Sequence, residues 1–288
     1  MDIFKKAKIL VGTNQIDNLT LQPFDIRVIN FLSKLSKNIL NNSSTKKFTD
    51  VVTFAFFCRE KNLINLSKNY NDLNIRKGLG LSFHITPSNI PTNFAYSLVF
   101  GLLSGNSNIV RVPSKDFPQI KLISNEIKKT LKKFPKLKDF IKIIRYSKNE
   151  DFTKNISLIS DARLVWGGNK TIKEAKTFAT KPNNRDLYFA DKNSFCVINY
   201  DKFKELENNE IKLLASNFYN DTYLVDQNAC SSPHVIFWLS KKKIEKKIKD
   251  QFWLNVNDLV KKKYDTNFSA SFFKYERSID DYLNKKDI

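Results

Sequence analysis

The amino-acid sequence predicts an α/β fold in which a parallel sheet is covered by helices. From Gly78 onward, short apolar runs alternate with longer stretches whose apolar residues recur at helical spacing. This alternation is typical of parallel sheets, because two parallel strands need a crossover connection that a helix usually supplies. Residues 1–75 carry mostly helical patterns instead.

The alternating part of the chain contains six predicted strands. They cover residues 79–85, 108–112, 141–146, 162–166, 186–190 and 195–199. The predicted helices between them cover residues 93–104, a lysine-rich stretch with an isoleucine stripe at 120–131, and residues 169 to about 179. Outside this part we predict a helix at 25–40, a strand at 235–239 and a helix or helix pair at 241–264. Residues 51–57 fit either a helix or a strand.

The composition indicates a chain that can bury a core, and it excludes several classes of function. Hydrophobic residues make up 41% of the sequence, and no run approaches the 18 apolar residues of a membrane span. The three cysteines, Cys58, Cys196 and Cys230, are far apart and odd in number, which disfavours a disulfide framework. With two histidines and no paired cysteines, no metal site is predicted. Residues 1–6 lack the apolar core of a signal peptide, so we expect a cytoplasmic protein.

The net charge of +20 raises the question of nucleic-acid binding. Only 8 of the 49 basic residues are arginine, the residue favoured for phosphate and base recognition. The lysines are spread along the chain, and their clusters near 128–138 and 241–249 lie on helical patterns. We therefore interpret these clusters as solvated helix faces and expect no nucleic-acid partner.

Three loops of the predicted fold leave strand ends on one side of the sheet. They are residues 86–91, 113–114 and 167–170. Ligands of doubly wound sheets bind at the carboxyl ends of the strands, so one ligand could contact all three loops. The sequence has no GxGxxG fingerprint, but Gly167 and Gly168 open a helix, with Asn169 as its expected cap. Their N–H groups could face a pyrophosphate or a nicotinamide, or the two glycines could form only a turn.

Cys230 is the predicted nucleophile. It follows the polar residues 226–228 and Ala229, precedes two serines and Pro233, and lies just before the apolar run at 235–239. A cysteine on a tight polar turn before a strand can be exposed while its backbone is held, which suits a reactive thiolate. The alternative is a small buried thiol, the role that we expect for Cys58 at the end of its apolar run.

Four segments together resemble the aldehyde dehydrogenase superfamily. Its “ITPxNxP” loop, its “GN” and its “VxKPS” strand end are matched in order by Ile85-Thr-Pro-Ser-Asn-Ile-Pro91, Gly105-Asn106 and Ile109-Val-Arg-Val-Pro-Ser114. The nucleophile segment of the acyl-CoA reductase branch, which includes the fatty-acid reductase of bacterial luminescence, is similar to Asp226-Gln-Asn-Ala-Cys-Ser-Ser-Pro233. The resemblance covers about residues 78–240. It implies an aldehyde-dehydrogenase-like fold, with a parallel-sheet nucleotide-binding domain and a partial α/β catalytic domain.

The resemblance implies roles for the matching residues. Cys230 would attack an acyl thioester, and Asn89 with the Cys230 backbone N–H would hold the developing oxyanion. The acyl-cysteine would then be reduced to an aldehyde by NADPH or NADH. The implied cofactor contacts are Thr86, Pro87, Ser88, Arg111, Ser114, Gly167, Gly168 and Asn169. Arg111 stands where the superfamily usually has a lysine, so with Ser114 it could contact a ribose or a 2′-phosphate, which makes NADPH plausible.

The resemblance also implies partners. The substrate would be an acyl-CoA or an acyl-carrier thioester, and an acyl-transferring or synthetase protein could deliver it. A complete member of the family would form a homo-oligomer. The family continues well over a hundred residues past its cysteine, whereas 58 residues follow Cys230 here, so we expect a catalytic domain that is short at its C-terminal end.

A second departure from the family concerns the general base. The oxidising members carry a Glu in an “ELGG” strand, and the matching residues 187–193 contain none. Deacylation by water needs a base, so its loss favours thioester reduction over aldehyde oxidation. His234 could act as an acid or base near Cys230, or it could be a structural residue at the start of a strand.

These observations predict two domains. Residues 1–192 would form a helical N-terminal segment and the NAD(P)-binding domain, and residues 193–288 the catalytic domain. The leading function is NAD(P)H-dependent reduction of an acyl thioester to an aldehyde. The alternative is a non-catalytic or incomplete fragment of such a reductase that binds a nucleotide or a partner subunit.

Overall fold

The chain divides into two compact units, residues 1–191 and 192–288. The computed structural model describes residues 7–15, 18–147, 150–264, 275–276 and 279. Residues 1–6, on which the expected lack of a signal peptide rests, lie outside the described residues. Within the described ranges, no helix combines the length and the apolar character that crossing a membrane requires.

The first unit is built on one six-stranded sheet. Its strands are β1 (Lys8–Val11), β2 (Leu81–Ile85), β3 (Ser107–Val112), β4 (Ile141–Arg145), β5 (Ala162–Trp166) and β6 (Arg185–Phe189). They lie in the order β1-β4-β3-β2-β5-β6. The edge strand β1 is antiparallel to β4, and the other neighbours are parallel. The mostly parallel sheet confirms the predicted fold class.

Helices cover both faces of this sheet. They are α1 (Ile26–Asn41), α2 (Thr49–Phe57), α3 (Glu60–Ser67), α4 (Asn93–Leu103), α5 (Pro118–Leu131), α6 (Glu150–Ile159) and α7 (Asn169–Lys176). One core packs α1, α2, α4 and α5 against strand residues that include Val110 and Ile143. The other packs α6 and α7 against Phe83 and Val165. All five residues of β2 are buried, as expected for a parallel strand between two helical layers.

Local sequence explains where these elements begin and end. In α1 four of the five residues of the predicted apolar stripe, Ile29, Leu32, Leu35 and Ile39, are buried, whereas Ile26 is exposed. The Asp25 carboxylate accepts a hydrogen bond from the Arg27 N–H at 2.9 Å. The ambiguous run at 51–57 forms α2. Cys58 follows it and is fully buried, which agrees with its expected structural role.

The second unit is smaller. Its parallel strands are β7 (Ser194–Asn199) and β8 (Pro233–Leu239), and its helices are α8 (Tyr200–Phe203), α9 (Asn208–Thr222) and α10 (Lys246–Lys263). One face of the two strands packs on the helices around Ile198, Phe252 and Val256. The alternate residues of both strands, Phe195, Val197, Val235, Phe237 and Leu239, are exposed.

Several elements differ from the sequence-based expectations. The sequence-based predictions do not include β1, which has only four residues, or the helices α6 and α9. The predicted helix or helix pair at 241–264 is one helix that begins at Lys246, and α7 ends at Lys176 rather than near 179. The predicted cap of α7 is wrong, because Gly168 occupies the cap position and Asn169 is the first helical residue.

A buried ion pair connects β5 to β6 beneath α7. Arg163 is 1% exposed and donates to the two carboxylate oxygens of Asp186, at 2.8 and 2.5 Å, and to the Ala175 carbonyl in α7 at 3.2 Å. Tyr188 and Asn184 also donate to Asp186. Burial alone would raise the pKa of Asp186, but the hydrogen bonds from Arg163, Tyr188 and Asn184 outweigh it and lower the pKa to about 2.

We expect Asp186→Asn to lower the free energy of unfolding by about 1–3 kcal/mol at pH 7, because buried Arg163 loses its countercharge. The lowered pKa means that the Asp186 carboxylate stabilises the fold above its unfolded-state pKa of about 4 and that this contribution is lost toward pH 2. The difference between wild type and variant in urea unfolding should therefore shrink from pH 5 to pH 3.

Asp116→Asn is the matched control. Asp116 is an exposed carboxylate that is also paired with an arginine, Arg145, at 2.6 Å, and its replacement should change stability little at either pH. A wild-type-to-Asp186→Asn difference that stays constant between pH 5 and pH 3 would contradict the assignment.

Candidate functional site

The expected cofactor face is the edge of the first unit where β2, β3 and β5 end. Pairing of Ile85 with both Arg111 and Val165 brings the carboxyl ends of these strands to one line. Thr86 is buried, and its hydroxyl and N–H donate to the Arg111 carbonyl at 2.8 and 3.3 Å. The loop at 86–91 is thus attached to the end of β3. Beyond this attachment Ser88 and Asn89 are exposed.

Arg111 and Ser114 form a polar group at the ends of β3 and β4. The Arg111 guanidinium lies over the Tyr146 ring, with its carbon 5.3 Å from the ring centroid, and makes a long contact of 3.5 Å with the Ser114 hydroxyl. Ser114 donates to the Tyr146 carbonyl at 3.3 Å. Arg111 is half-buried and Ser114 is exposed, so a cation and a hydroxyl are presented side by side at this edge.

The Gly167–Gly168 turn joins β5 to α7, and an acidic side chain lies beside it. The Asp191 carboxylate accepts a hydrogen bond from the Asn169 N–H at 3.0 Å. A Cβ on Gly168 would lie 3.1 Å from that carboxylate, so a side chain there would be crowded. Asp191 thus already supplies negative charge at the start of α7, which disfavours a second anion such as a pyrophosphate there.

The same residue bears on the missing general base. Asp191 is the one carboxylate among residues 187–193, the segment in which the resemblance predicts the counterpart of the “ELGG” strand. Its hydrogen bond to α7 gives it a structural task in the first unit.

An aromatic stack beside the glycine turn is absent from the sequence-based expectations. Trp166, the last residue of β5, pairs with Phe189, the last residue of β6. Their ring centroids are 3.7 Å apart and the ring planes differ by 7°. The only signal in the sequence is an aromatic residue at each of two predicted strand ends, which becomes informative only once the strands are known to be neighbours.

Cys230 is exposed on a turn directly before β8, as predicted. The Ser232 N–H donates to the Ala229 carbonyl at 3.0 Å and closes a four-residue turn with Cys230 at its second position. Ser194, the first residue of β7, donates to the Cys230 carbonyl at 2.6 Å, and the Ser232 hydroxyl donates to the Asp221 carbonyl at 2.6 Å. These bonds hold the backbone on both sides of an exposed thiol, which is the combination that a nucleophile needs.

The chain upstream of Cys230 is also tightly folded. Asp226 and Gln227 are consecutive left-handed residues with φ of 54° and 56°. The Gln227 N–H donates to the Thr222 carbonyl at 2.8 Å, and the Tyr264 hydroxyl bonds the Asp226 carboxylate. Left-handed non-glycine residues carry strain and are often found at functional sites.

The structure groups the predicted site residues by unit. Thr86, Pro87, Ser88, Asn89, Arg111, Ser114, Gly167, Gly168 and Asn169 lie at the ends of β2, β3 and β5 in the first unit. Cys230 and His234 lie in the second unit, where His234 is exposed on β8. Among the residues that the structure describes, no group of three His, Cys, Asp or Glu side chains could hold a metal ion.

The amino-acid sequence matches the family described as “Acyl-CoA reductase (LuxC)” over residues 19–251. Long-chain acyl-protein thioester reductase 2 of Photobacterium leiognathi is 26% identical over 163 residues, which cover 56% of this chain and 32% of that protein. The long-chain acyl-protein thioester reductase of Vibrio harveyi is 27% identical over 173 residues, which cover 59% of this chain and 34% of that protein. The matched segments thus span about a third of each relative.

Solved structures with a similar fold include aldehyde dehydrogenases. The aldehyde dehydrogenase of Bartonella henselae superposes with a TM-score of 0.58 at 14% identity, covering 84% of this chain and 54% of that one. The propionaldehyde dehydrogenase of Rhodopseudomonas palustris, solved with bound propionyl-CoA, superposes with a TM-score of 0.52 at 14% identity, covering 81% and 53%. At these identities the likeness shows the fold alone, and it confirms the expected aldehyde-dehydrogenase-like architecture.

The environments of the three cysteines predict an order of alkylation in the folded protein. Cys230 is exposed and should react first with iodoacetamide. Cys196 is half-buried, and burial together with nearby Asp221 raises the pKa of its thiol, so it should react more slowly. Burial of Cys58 raises its pKa strongly and also blocks access. Peptide mass spectrometry after a short pulse would measure this order.

Unfolding in urea is the control, because all three cysteines should then react at similar rates. Labelling of Cys58 as fast as Cys230 in the folded protein would contradict the placement of both residues.

Proposed function

Since the chain belongs to the acyl-CoA reductase (LuxC) family, we propose that it reduces an acyl thioester to an aldehyde through an acyl-cysteine, with a nicotinamide cofactor as the hydride donor. The observation that carries this proposal is the exposed Cys230 on a turn whose backbone is hydrogen-bonded on both sides. The named reductases to which the chain is similar act on long-chain acyl-protein thioesters. An acyl-CoA or acyl-carrier thioester is therefore the proposed substrate.

In the first step the Cys230 sulfur attacks the carbonyl carbon of the thioester. A tetrahedral oxyanion forms, and Asn89 with the Cys230 N–H are its proposed donors. The oxyanion collapses, the bond to the coenzyme or carrier sulfur breaks, and that thiolate leaves and takes a proton. The acyl group is then bonded to Cys230.

In the second step the acyl carbon on Cys230 would take up a hydride, the chemistry that a nicotinamide held at the carboxyl edge of the first unit would supply. Cys230 would then hold a thiohemiacetal as its alkoxide, and breaking of the carbon–sulfur bond would release the aldehyde and return the thiolate. The absence of a glutamate from residues 187–193 supports reduction, because water attack on the acyl-cysteine lacks the base that the oxidising enzymes use.

The proposed cofactor site is the carboxyl edge of the first unit, at Thr86, Pro87, Ser88, Arg111, Ser114, Gly167, Gly168 and Asn169. Arg111 and Ser114 fit a ribose or a 2′-phosphate, because a half-buried guanidinium beside a hydroxyl can form charge-assisted hydrogen bonds. This arrangement favours NADPH over NADH. The Gly167–Gly168 turn, with Asp191 beside it, fits the nicotinamide end.

The family relationship supports further proposals about the whole protein. We propose that the second unit carries the catalytic chemistry, that an acyl-transferring or synthetase protein delivers the acyl group, and that copies of the protein associate. We place the protein in the cytoplasm.

We expect incubation with a long-chain acyl-CoA, without cofactor, to add one acyl group to the chain at Cys230. Intact-protein and peptide mass spectrometry would locate the added mass. Cys230→Ala should remove the labelling, because the turn then lacks its thiol. Cys196→Ala is the matched control, since Cys196 lies in the same unit, and it should label normally.

Acyl groups found on Cys58 or Cys196 of the wild type would overturn the assignment of Cys230. A folded wild type that is never acylated would instead favour the alternative function, a non-catalytic member of the family that binds a nucleotide or a partner subunit.

A further inference from the structure

A continuous chain of three hydrogen bonds, two of them buried and one part-buried, crosses one face of the first sheet. The Trp166 indole N–H donates to the Ser97 hydroxyl at 3.2 Å. Ser97 lies 2.8 Å from His84 Nδ1, and His84 Nε2 lies 3.0 Å from Asn108 Oδ1. The chain therefore runs from the start of β3, through β2 and α4, to the carboxyl end of β5.

The other hydrogen bonds of Asn108 determine which group is donor and which is acceptor at each step of this hydrogen-bond chain. Asn108 Nδ2 donates to two backbone carbonyls, at 2.6 and 3.4 Å, so its Oδ1 is an acceptor for His84 Nε2–H. His84 Nδ1 then accepts from the Ser97 hydroxyl, and the Ser97 oxygen accepts from Trp166. Burial lowers the pKa of His84 to about 4, although the bond to Asn108 opposes this, so the imidazole is neutral and holds this tautomer.

The residues of this hydrogen-bond chain are closely packed. His84, Ser97 and Asn108 are each no more than 1% exposed. A Cβ on Gly101 of α4 would lie 2.0 Å from Asn108 Oδ1 and 3.0 Å from His84 Cε1. The missing side chain at Gly101 thus lets α4 approach the polar groups, and a larger residue would separate them.

Buried polar groups at these positions are not needed to stabilise the sheet. Apolar side chains of similar shape would fill the same space without the cost of desolvating an imidazole, an amide and a hydroxyl. A buried network in which each of these bonds is made adds geometric definition instead. The last member of this network is Trp166. Ser97 accepts a hydrogen bond from one edge of its ring, and Phe189 stacks on one face.

The position of Trp166 indicates a function for its fixed orientation. Trp166 and Phe189 are partly exposed and lie at the carboxyl edge, and Trp166 directly precedes the Gly167–Gly168 turn. Arg111, at the end of β3, lies two strands away from β5, a distance of about 10 Å. A cofactor whose adenosine side contacts Arg111 would extend across β2 toward the aromatic stack.

We propose that the Trp166–Phe189 stack is the surface against which the nicotinamide ring of the cofactor rests, and that His84 and Ser97 are positioning residues that hold it in place. This inference rests on the proposed function, which brings a nicotinamide cofactor to this edge. A planar ring gains more from a fixed, flat aromatic surface than from a mobile one, because less side-chain freedom is lost on binding.

The test compares whole cofactors with fragments that lack nicotinamide. Calorimetry on the full chain would measure the binding of NADPH and NADH and of 2′-phospho-ADP-ribose and ADP-ribose. Trp166→Leu should weaken the better-bound cofactor about tenfold and change its fragment less than about twofold, because only the ring contact is lost. Trp166→Phe keeps a flat ring and should retain most of the affinity.

Ser97→Ala tests the positioning role separately. Removing one acceptor should weaken the whole cofactor about threefold, leave the fragment unchanged and shift the emission of Trp166, whose N–H loses its partner. Ser82→Ala is the matched control. Ser82 is buried on β2, and among the described residues its hydroxyl has no hydrogen-bond partner. This variant should bind and fluoresce as the wild type does.

The inference would be overturned by a Trp166→Leu variant that binds the whole cofactor as the wild type does, or by variants that weaken cofactor and fragment equally. A wild type that binds the fragments but gains nothing from the nicotinamide would also overturn it and would leave the adenosine site standing. A wild type that binds none of the four ligands would refute the proposed cofactor and this inference with it.

Discussion

The alignment of parallel strand ends is the constraint on which the candidate cofactor site depends. Ile85 pairs with Arg111 on one side and with Val165 on the other, so β2, β3 and β5 end on one line. Thr86 then attaches the following loop to β3. Residues separated by about 80 positions in the sequence, Ser88 and Gly168 among them, are thereby brought to one edge of the sheet. A slip of one residue in any of these pairings would move every side chain on that strand to the opposite face.

In the second unit, the position of Cys230 is set by one local turn. Cys230 is positioned by bonds to residues close in space around one turn, and Ser194 is the contact that brings in a distant part of the sequence. A nucleophile on a short turn can be exposed without mobility of its backbone. The first unit thus offers a sheet edge where we propose that the cofactor binds, and the second unit offers a turn that presents a thiol.

The sequence could predict those features of the fold and of the candidate site that depend on neighbouring residues. The strand–helix alternation, the loop at 86–91 and the turn around Cys230 depend on neighbouring residues, and the structure agrees with them. The pairing of Trp166 with Phe189 and the chain from His84 to Ser97 depend on strand order and helix packing, which no local pattern contains. The cap of α7 differs from the prediction because the cap position falls one residue earlier, at Gly168, and the Asn169 N–H donates to Asp191 from a later segment.

We propose above all that Cys230 carries an acyl group that a nicotinamide cofactor reduces. The most direct measurement starts from protein acylated at Cys230, adds NADPH or NADH, and follows the acyl-protein mass, the cofactor absorbance and the released product together. The account predicts loss of the acyl group as free aldehyde, with one cofactor oxidised for each group released. Acyl groups that remain on Cys230, or that leave as a carboxylic acid while the cofactor is unchanged, would contradict it.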